Sequence, residues 1–465
     1  MKRSTGLITL CFLICVNYHI LRNLKDSLIL TQAFSGAEAI PFLKTWVLIP
    51  GTLLLVSITL WLSNRLRFST LFFSASGFFI SFYILYTFVL YPHGDLIHLH
   101  ALADHIQNLV PSGWKGFVAI IRYWPDSLFY VMAESWAVIL WYILFTGFAN
   151  EVMNTQEAKV TYPWIILAGN VSAVFAGFMV NFLTNPNWIS TLNRLTLFMG
   201  LVTAIICLIF KMMHEKAPKS LSSPYKMSFW ESLKELISSK YLLCLALVVF
   251  GFNMIINMTE VIWKDQVLKA YPHPSDYNAY MNQITILIGL VSAVITLFLV
   301  RVCANRFHWT VCAVMTPLVT IGSALIFFCP LMLSLVPLGV LVFLGSMHII
   351  FSRSTRYTLF DLSKELALIP LPSDQKFKAK SHIDGIGSRL GKASSSGLFQ
   401  LFLLVLPNIT ACAPFVLFIL LGVTGMSLLA IRYMGAKNTS SHQLKLLKSP
   451  PDFLTENGHS LYTQR

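Results

Sequence analysis

Arg22 and Lys25 stand in an otherwise apolar stretch, Asn17 to Leu28, at a depth where a membrane helix should carry no charge. A Lys or Arg at mid-membrane costs about 2.5–3.5 kcal/mol on insertion scales, so a cation there marks a function. Three residues apart, the two share one helix face, which must look into a bundle interior or a watery cavity and would suit an anionic cargo. Alternatively the helix ends near Leu21 and both charges snorkel into the headgroups. Other segments argue against that simpler reading. Lys44, Arg389 and Lys392 also fall within or at the end of apolar spans, as do the carboxylates Glu134 and Glu260. Seven such groups facing lipid unpaired would cost on the order of 15–20 kcal/mol, so they must share a polar interior. Five cations against two carboxylates leave a surplus of about three positive charges, which matches a triply or quadruply charged nucleotide or another polyphosphate. Arg389 and Lys392 repeat the three-residue spacing of Arg22 and Lys25, and two such faces make a phosphate clamp. The run Gly385 to Lys392 has small residues on several faces, which suits close helix approach or backbone access to phosphate. It is not a nucleotide-binding P-loop, because Ala393 follows Lys392 where that motif needs a hydroxyl.

The elements that would position these groups are membrane helices. With 56% hydrophobic and 12% charged residues and a mean hydropathy of +0.68, the 465-residue chain cannot be an ordinary soluble domain, whose charged fraction is about twice that. Apolar windows near 6–28, 39–62, 69–91, 117–147, 162–183, 195–213, 241–263, 280–301, 308–329, 331–351, 384–407 and 410–432 predict an all-α integral membrane protein of about twelve transmembrane helices. Placing both termini and the even-numbered connections on one side gives that side 24 of the 34 Lys and Arg residues, among them those from Arg353 to Lys380, and the positive-inside rule makes it cytoplasmic. The longest internal connection, residues 214–240, then divides two six-helix halves, 1–213 and 241–434, in the major-facilitator-like plan with a site between the halves. Residues 435–465, polar and rich in Ser and Lys, read as a disordered cytoplasmic tail.

The net charge of +14 sits in short connections between apolar spans, a mark of membrane orientation, and no nucleic-acid-binding pattern accompanies it. The eight cysteines lie in apolar segments without CxxC spacing and read as small buried hydrophobes. His93, His98, His100 and His105 share the connection Pro92 to Lys115 with Asp95 and Asp104, but their irregular spacing favours a solvated amphipathic loop over a zinc site. No small-residue cleavage site follows the start, which reads as the first membrane helix, and no transit peptide precedes it, so the expected location is a bacterial inner membrane. Tyr123, Trp124, Phe129, Tyr130, Trp136 and Trp141 cluster around Glu134, where a base could stack.

These stretches carry a resemblance. Asn17 to Leu28, Ser35 to Lys44, Phe129 to Glu134, Gly147 to Glu151, Glu260 to Lys264 and Phe360 to Glu365 resemble the ATP/ADP translocase family of chlamydiae, rickettsiae and plastids, over nearly the whole chain. The resemblance implies nucleotide transport and a Lys-Glu-Glu-Lys set of functional residues that falls on Lys25, Glu134, Glu260 and Lys392. The chain departs from the family pattern at Asn23, Thr146 and Ala393 to Ser396. It is also similar to proton-coupled chlamydial importers in Trp263 to Val267 and Ile383 to Gly385.

Together these readings predict a non-enzymatic nucleotide transporter without cofactor or metal, monomeric in the bilayer. It would import nucleoside triphosphates such as ATP by proton symport, with Glu134 and Glu260 as the groups that carry the coupling proton. ATP/ADP exchange and NAD import are the alternatives within transport. A membrane phosphotransferase is the alternative from another class, and it would need a catalytic constellation at a membrane face rather than charges at depth.

Overall fold

The computed structural model describes residues 3–153, 155–215, 239–306, 309–368, 383 and 388–448, all helical or irregular, with no strand among them. Among the described residues eleven helices are long and apolar enough to cross a membrane: α1 (Arg3–Leu30), α2 (Ala39–Ser63), α3 (Phe68–Leu90), α4 (Trp124–Asn150), α5 (Thr155–Leu183), α6 (Trp188–His214), α7 (Lys240–Ala270), α8 (Pro274–Arg306), α9 (Trp309–Leu333), α10 (Leu338–Leu368) and, after a shorter helix, α12 (Ala413–Lys448). That helix, α11 (Ser388–Val405), is shorter because Lys392 and a run of serines open it before its apolar part begins. The expected connection at residues 214–240 lies almost wholly outside the described residues. The expected tail is not irregular from its start, since α12 continues to Lys448.

Helix α1 is the hub. It runs unbroken to Leu30 with Lys25 only 3% exposed, so the charges do not end it and do not snorkel. Its asparagines and Ser27 reach two neighbours, α6 and α8. Asn17 donates to the Met199 carbonyl at 3.2 Å and to Thr203 Oγ1 at 3.0 Å on α6. Asn23 donates to Asn282 Oδ1 at 2.9 Å and Thr285 Oγ1 at 2.8 Å on α8, and Ser27 reaches Asn278 one turn away. Trp136 on α4 donates to the Ile14 carbonyl. In an apolar medium such interhelical bonds, about 0.6 kcal/mol each, fix which helices are neighbours more than they stabilise the fold. Helices α5 and α8 approach closely over small residues: a Cβ at Gly289 would lie 2.9 Å from the Asn170 carbonyl.

One apolar core draws only on residues 7–213. A second joins Ile29 to Leu43 and Ala119 to Tyr130 to side chains of α7 to α12, sealing the bundle at the end where α1 finishes. The polar bonds follow suit. Among the described residues, hydrogen bonds between residues 3–213 and 240–448 lie from the level of Asn257 toward that sealed end, as in Gln400 donating to the Pro41 carbonyl and Thr45. Toward the end where α1 begins, no such bond joins the two sets of helices among the described residues.

The histidine-bearing connection is largely exposed but helical in part, as at His100–Leu109. The span expected at 117–147 is broken at Tyr123: its start forms a separate helix, Lys115–Arg122, which packs so tightly on the start of α2 that a Cβ at Gly116 would stand 2.2 Å from the Glu38 carbonyl. Arg122 is paired with Asp104 and touches His100 Nδ1, and burial together with the neighbouring His100 pushes the His98 imidazole below its ordinary value. No group of three potential metal ligands occurs among the described residues. Of the cysteines, Cys11, Cys15, Cys312 and Cys412 are buried as expected, whereas Cys329 is exposed on α9.

Candidate functional site

The intramembrane charges converge midway along the bundle. Lys25 Nζ lies 3.1 Å from Glu134 Oε1 on α4 and 3.2 Å from Asp26 Oδ1, and it sits over the Tyr130 ring at 3.6 Å from the centroid. Asp26 in turn holds Lys264 of α7 at 2.7 Å; Lys264 also holds Glu260 at 2.7 Å, and Arg353 of α10 closes the chain on Glu260 Oε2 at 2.5 Å. Lys25, Lys264 and Arg353 thus balance Glu134, Asp26 and Glu260 in one continuous network across α4, α1, α7 and α10. Asp26 and Lys264 are 1% and 2% exposed. Such burial is tolerable only because each charge has a partner, since an ion taken out of water without one costs several kcal/mol.

Four further cations lie outside this balance: Arg22, Lys44, Arg356 and Lys392. No carboxylate lies within 4 Å of any of them among the described residues. Lys44 donates to Asn257 Oδ1, and Asn257 turns its amide to Ser395 Oγ and to the Lys392 carbonyl at 3.3 Å, tying α2, α7 and α11 together. Arg356 donates to Asn253 Oδ1 at 2.9 Å. At longer range Arg22 feels Tyr357, Tyr18, Glu260 and Asp26, and Lys392 feels Glu134 first and Arg356 after it. Arg22, Lys44 and Arg356 are half-buried and Lys392 is exposed, although all four belong to membrane helices. Accessibility therefore rises from the sealed end toward the end where α1 begins.

Local sequence explains the placement. Gly391 lets α11 lie directly on α7, where a Cβ would meet the Phe250 carbonyl at 2.4 Å, and this contact brings Lys392 to the centre. On α7, Asn253, Asn257, Glu260 and Lys264 recur at helical spacing and form one polar stripe. Lys44 and Arg356 both belong to π-helical turns, Leu43–Leu48 and Arg356–Phe360. Such turns rotate a side chain out of helical register and often occur at functional sites.

Six of the seven residues predicted from sequence come together here: Arg22, Lys25, Lys44, Glu134, Glu260 and Lys392. Arg389 lies in the first turn of α11, but its side chain is outside the described residues. The clamp of two cation pairs is revised, because Lys25 is committed to carboxylates while Arg22 is not. Sequence reasoning missed Asp26, Lys264, Arg353 and Arg356. The sequence pattern places the last two in a cytoplasmic connection, yet α10 carries them within the span Leu338–Leu368, which takes two from the expected 24. Helical spacing of Asn253, Asn257, Glu260 and Lys264 was the signal available for α7. The aromatic cluster is mostly packing. Phe129 and Trp136 are fully buried against Tyr83 and cannot meet a base, and Tyr130 is taken up by Lys25.

A family model described as TLC ATP/ADP transporter matches residues 1–438. The chain is 32% identical to ADP,ATP carrier protein 2 of Chlamydia pneumoniae over 97% of its own length and 92% of that protein. It is 34% identical to ADP,ATP carrier protein 2 of Chlamydia trachomatis (93% and 87%) and to the chloroplastic ADP,ATP carrier protein 1 of Arabidopsis thaliana (98% and 76%). Among solved structures it is similar in fold to a bacterial homologue of the iron transporter ferroportin, with a TM-score of 0.63, 13% identity and coverage of 93% and 98% of the two chains. The nucleoside transporter NupG gives 0.55, 12%, 93% and 100%. With the expected all-helical, major-facilitator-like architecture in place, and with a match that runs through every helix bearing the charge cluster, the chain belongs to the TLC ATP/ADP transporter family.

Proposed function

We propose that the protein is a nucleotide carrier that exchanges ATP for ADP across a bacterial inner membrane. The observation that carries this reading is the division of the cluster's charges, among the described residues, into a balanced network of three cations and three carboxylates and four cations left over. Unpaired cations can remain hydrated while the cavity is open at one end. To change sides the carrier must close over them, and sealing four cations from water without counter-ions would cost several kcal/mol apiece. A nucleoside triphosphate, with about four negative charges at neutral pH, removes that cost, and a diphosphate removes most of it. Only a loaded carrier then changes sides, which is the requirement for exchange.

We favour this reading over the expected proton symport. Within the cluster Glu134, Asp26 and Glu260 are each committed to a cation; Asp126, buried eight residues before Glu134 on α4, is held by Tyr86 and Gln32 without a cation among the described residues. The names of the chlamydial and plastid relatives, ADP,ATP carriers, favour the same exchange. In this scheme Arg22, Lys44 and Lys392 take the phosphates, while Lys25, Glu134 and Glu260 hold the network that frames them. Residues 1–213 and 241–434 act as two halves that rock about the cluster. Both termini and the connection at 214–240 face the cytoplasm, and the cavity opens to that side.

Reconstituted vesicles test it. Labelled ATP should enter vesicles loaded with ADP and should not enter nucleotide-free vesicles, with or without an inward proton gradient. Proton-driven uptake into nucleotide-free vesicles would overturn exchange, and failure to take up any nucleotide would overturn the transport reading itself.

A further inference from the structure

Arg353 and Arg356 sit three residues apart on α10 and have different fates. Arg353 is buried against a carboxylate, Glu260. Arg356 is half-buried and meets only a neutral amide, Asn253, seven residues earlier on α7 and so about 10 Å closer to the open end. One amide oxygen accepts one of the five guanidinium N–H donors and leaves the charge uncompensated. Another cation, Lys392, lies within electrostatic range of it, with Glu134 the stronger influence on Lys392. Two like charges that close, both reachable from solvent, are better satisfied when an anion is shared between them.

The support beneath Arg356 is built rather than incidental. Phe252 and Phe360 stack at 4.7 Å with 17° between their planes, and the guanidinium carbon lies 5.7 and 5.9 Å from their centroids. Such an aromatic floor fixes a guanidinium without neutralising it. The construction also has a counterpart. Lys44, on the opposite side of the cluster, likewise belongs to a π-helical turn and is likewise held by an asparagine of α7, Asn257, one turn from Asn253. Two cations on different helices, each in a π-turn and each anchored to an amide on the same stripe, thus stand about one helical turn apart along α7.

We infer that Arg356 is a substrate-contact residue that, with Lys392, grips the polyphosphate tail of the nucleotide and sets the preference for tri- and diphosphates over monophosphates. The inference rests on the nucleotide-carrier reading above and adds a residue that the Lys-Glu-Glu-Lys set does not include.

Binding of AMP, ADP and ATP to the purified full-length protein in detergent, with the wild type, Arg356→Gln, Arg356→Lys and Asn253→Ala side by side, tests it. Loss of one charge-assisted phosphate contact should weaken ATP and ADP binding in Arg356→Gln by about ten- to a hundredfold and AMP binding by less than about threefold. Arg356→Lys should fall between, because it keeps the charge and loses the fork. Asn253→Ala should weaken ATP less than Arg356→Gln does. ATP binding by Arg356→Gln equal to wild type, or an equal loss for all three nucleotides, would overturn the assignment and leave Arg356 a brace between α10 and α7. Should Arg356→Gln fail to fold, an unchanged ATP-to-AMP affinity ratio in Arg356→Lys overturns it just as well. A wild type that binds none of the three nucleotides refutes the carrier reading, a result distinct from failure of the Arg356 assignment.

Discussion

Lys25 and Lys392 belong to the same resemblance-derived set, but their surroundings set different consequences for losing them. Lys25 is almost wholly buried between Glu134 and Asp26. Removing it strands carboxylate charge in the bundle, a defect worth about 3–5 kcal/mol, here at the low end because Asp26 keeps Lys264. Lys392 is exposed and has no carboxylate within salt-bridge distance among the described residues. Lys25→Ala should therefore lower the melting temperature of the purified carrier and abolish exchange, whereas Lys392→Ala should abolish exchange with the melting temperature unchanged. Thermal unfolding by intrinsic fluorescence separates the two, and equal melting temperatures for both variants would contradict the division of charges. Most of this site was legible in the sequence, since a Lys, Arg or Glu inside an apolar window is conspicuous on cost alone. Asp26 and Lys264 escaped notice because they follow charges or close a window, where a headgroup position is an equally cheap explanation. Their partners became visible only when α1 and α7 were side by side.

At the scale of elements, the largest discrepancy is α10. A hydropathy window stops at the first charges, which put the end of this span near residue 351, but backbone hydrogen bonding is indifferent to which way a side chain points. With Arg353 turned to Glu260 and Arg356 turned to the cavity, the helix continues to Leu368. The π-turns were likewise beyond a pattern search, because a one-residue shift in register leaves no mark on composition. The short α11 shows how one small residue positions a functional one. Gly391 allows α11 to rest on the Phe250 carbonyl of α7, and Gly391→Ala would force the two apart by close to an ångström. That overpacking should cost about 1–3 kcal/mol, and by carrying Lys392 away from the cluster it should raise the KM for ATP by at least about tenfold. Gly397, whose Cβ would meet nothing within 4 Å on the same helix, is the control: Gly397→Ala should exchange ATP at the wild-type rate.

For the whole molecule, the sequence was sufficient for fold class, for the number of helices to within one short segment, and for an orientation that can be tested directly. In a cysteine-free background, a membrane-impermeant thiol reagent should label Ser112→Cys from the external medium and should not label Ser223→Cys. The reverse pattern would invert the proposed topology. What no pattern search could supply was the state of the bundle: apolar side chains from Ile29 to Leu43 and from Ala119 to Tyr130 close one end against α7 to α12, while the opposite end has no polar bond between the two sets of helices among the described residues. Apolar side chains make up much of the seal, and this has a thermal consequence. Opening it to the other side of the membrane hydrates hydrocarbon, and each Å² of apolar surface so exposed adds about 0.45 cal/K/mol to the heat capacity. The equilibrium between the two faces of the carrier therefore shifts non-linearly with temperature. In vesicles of a lipid kept above its melting transition, the logarithm of the exchange rate plotted against reciprocal temperature should curve, and replacing Ile29 and Leu43 together by alanine should straighten it.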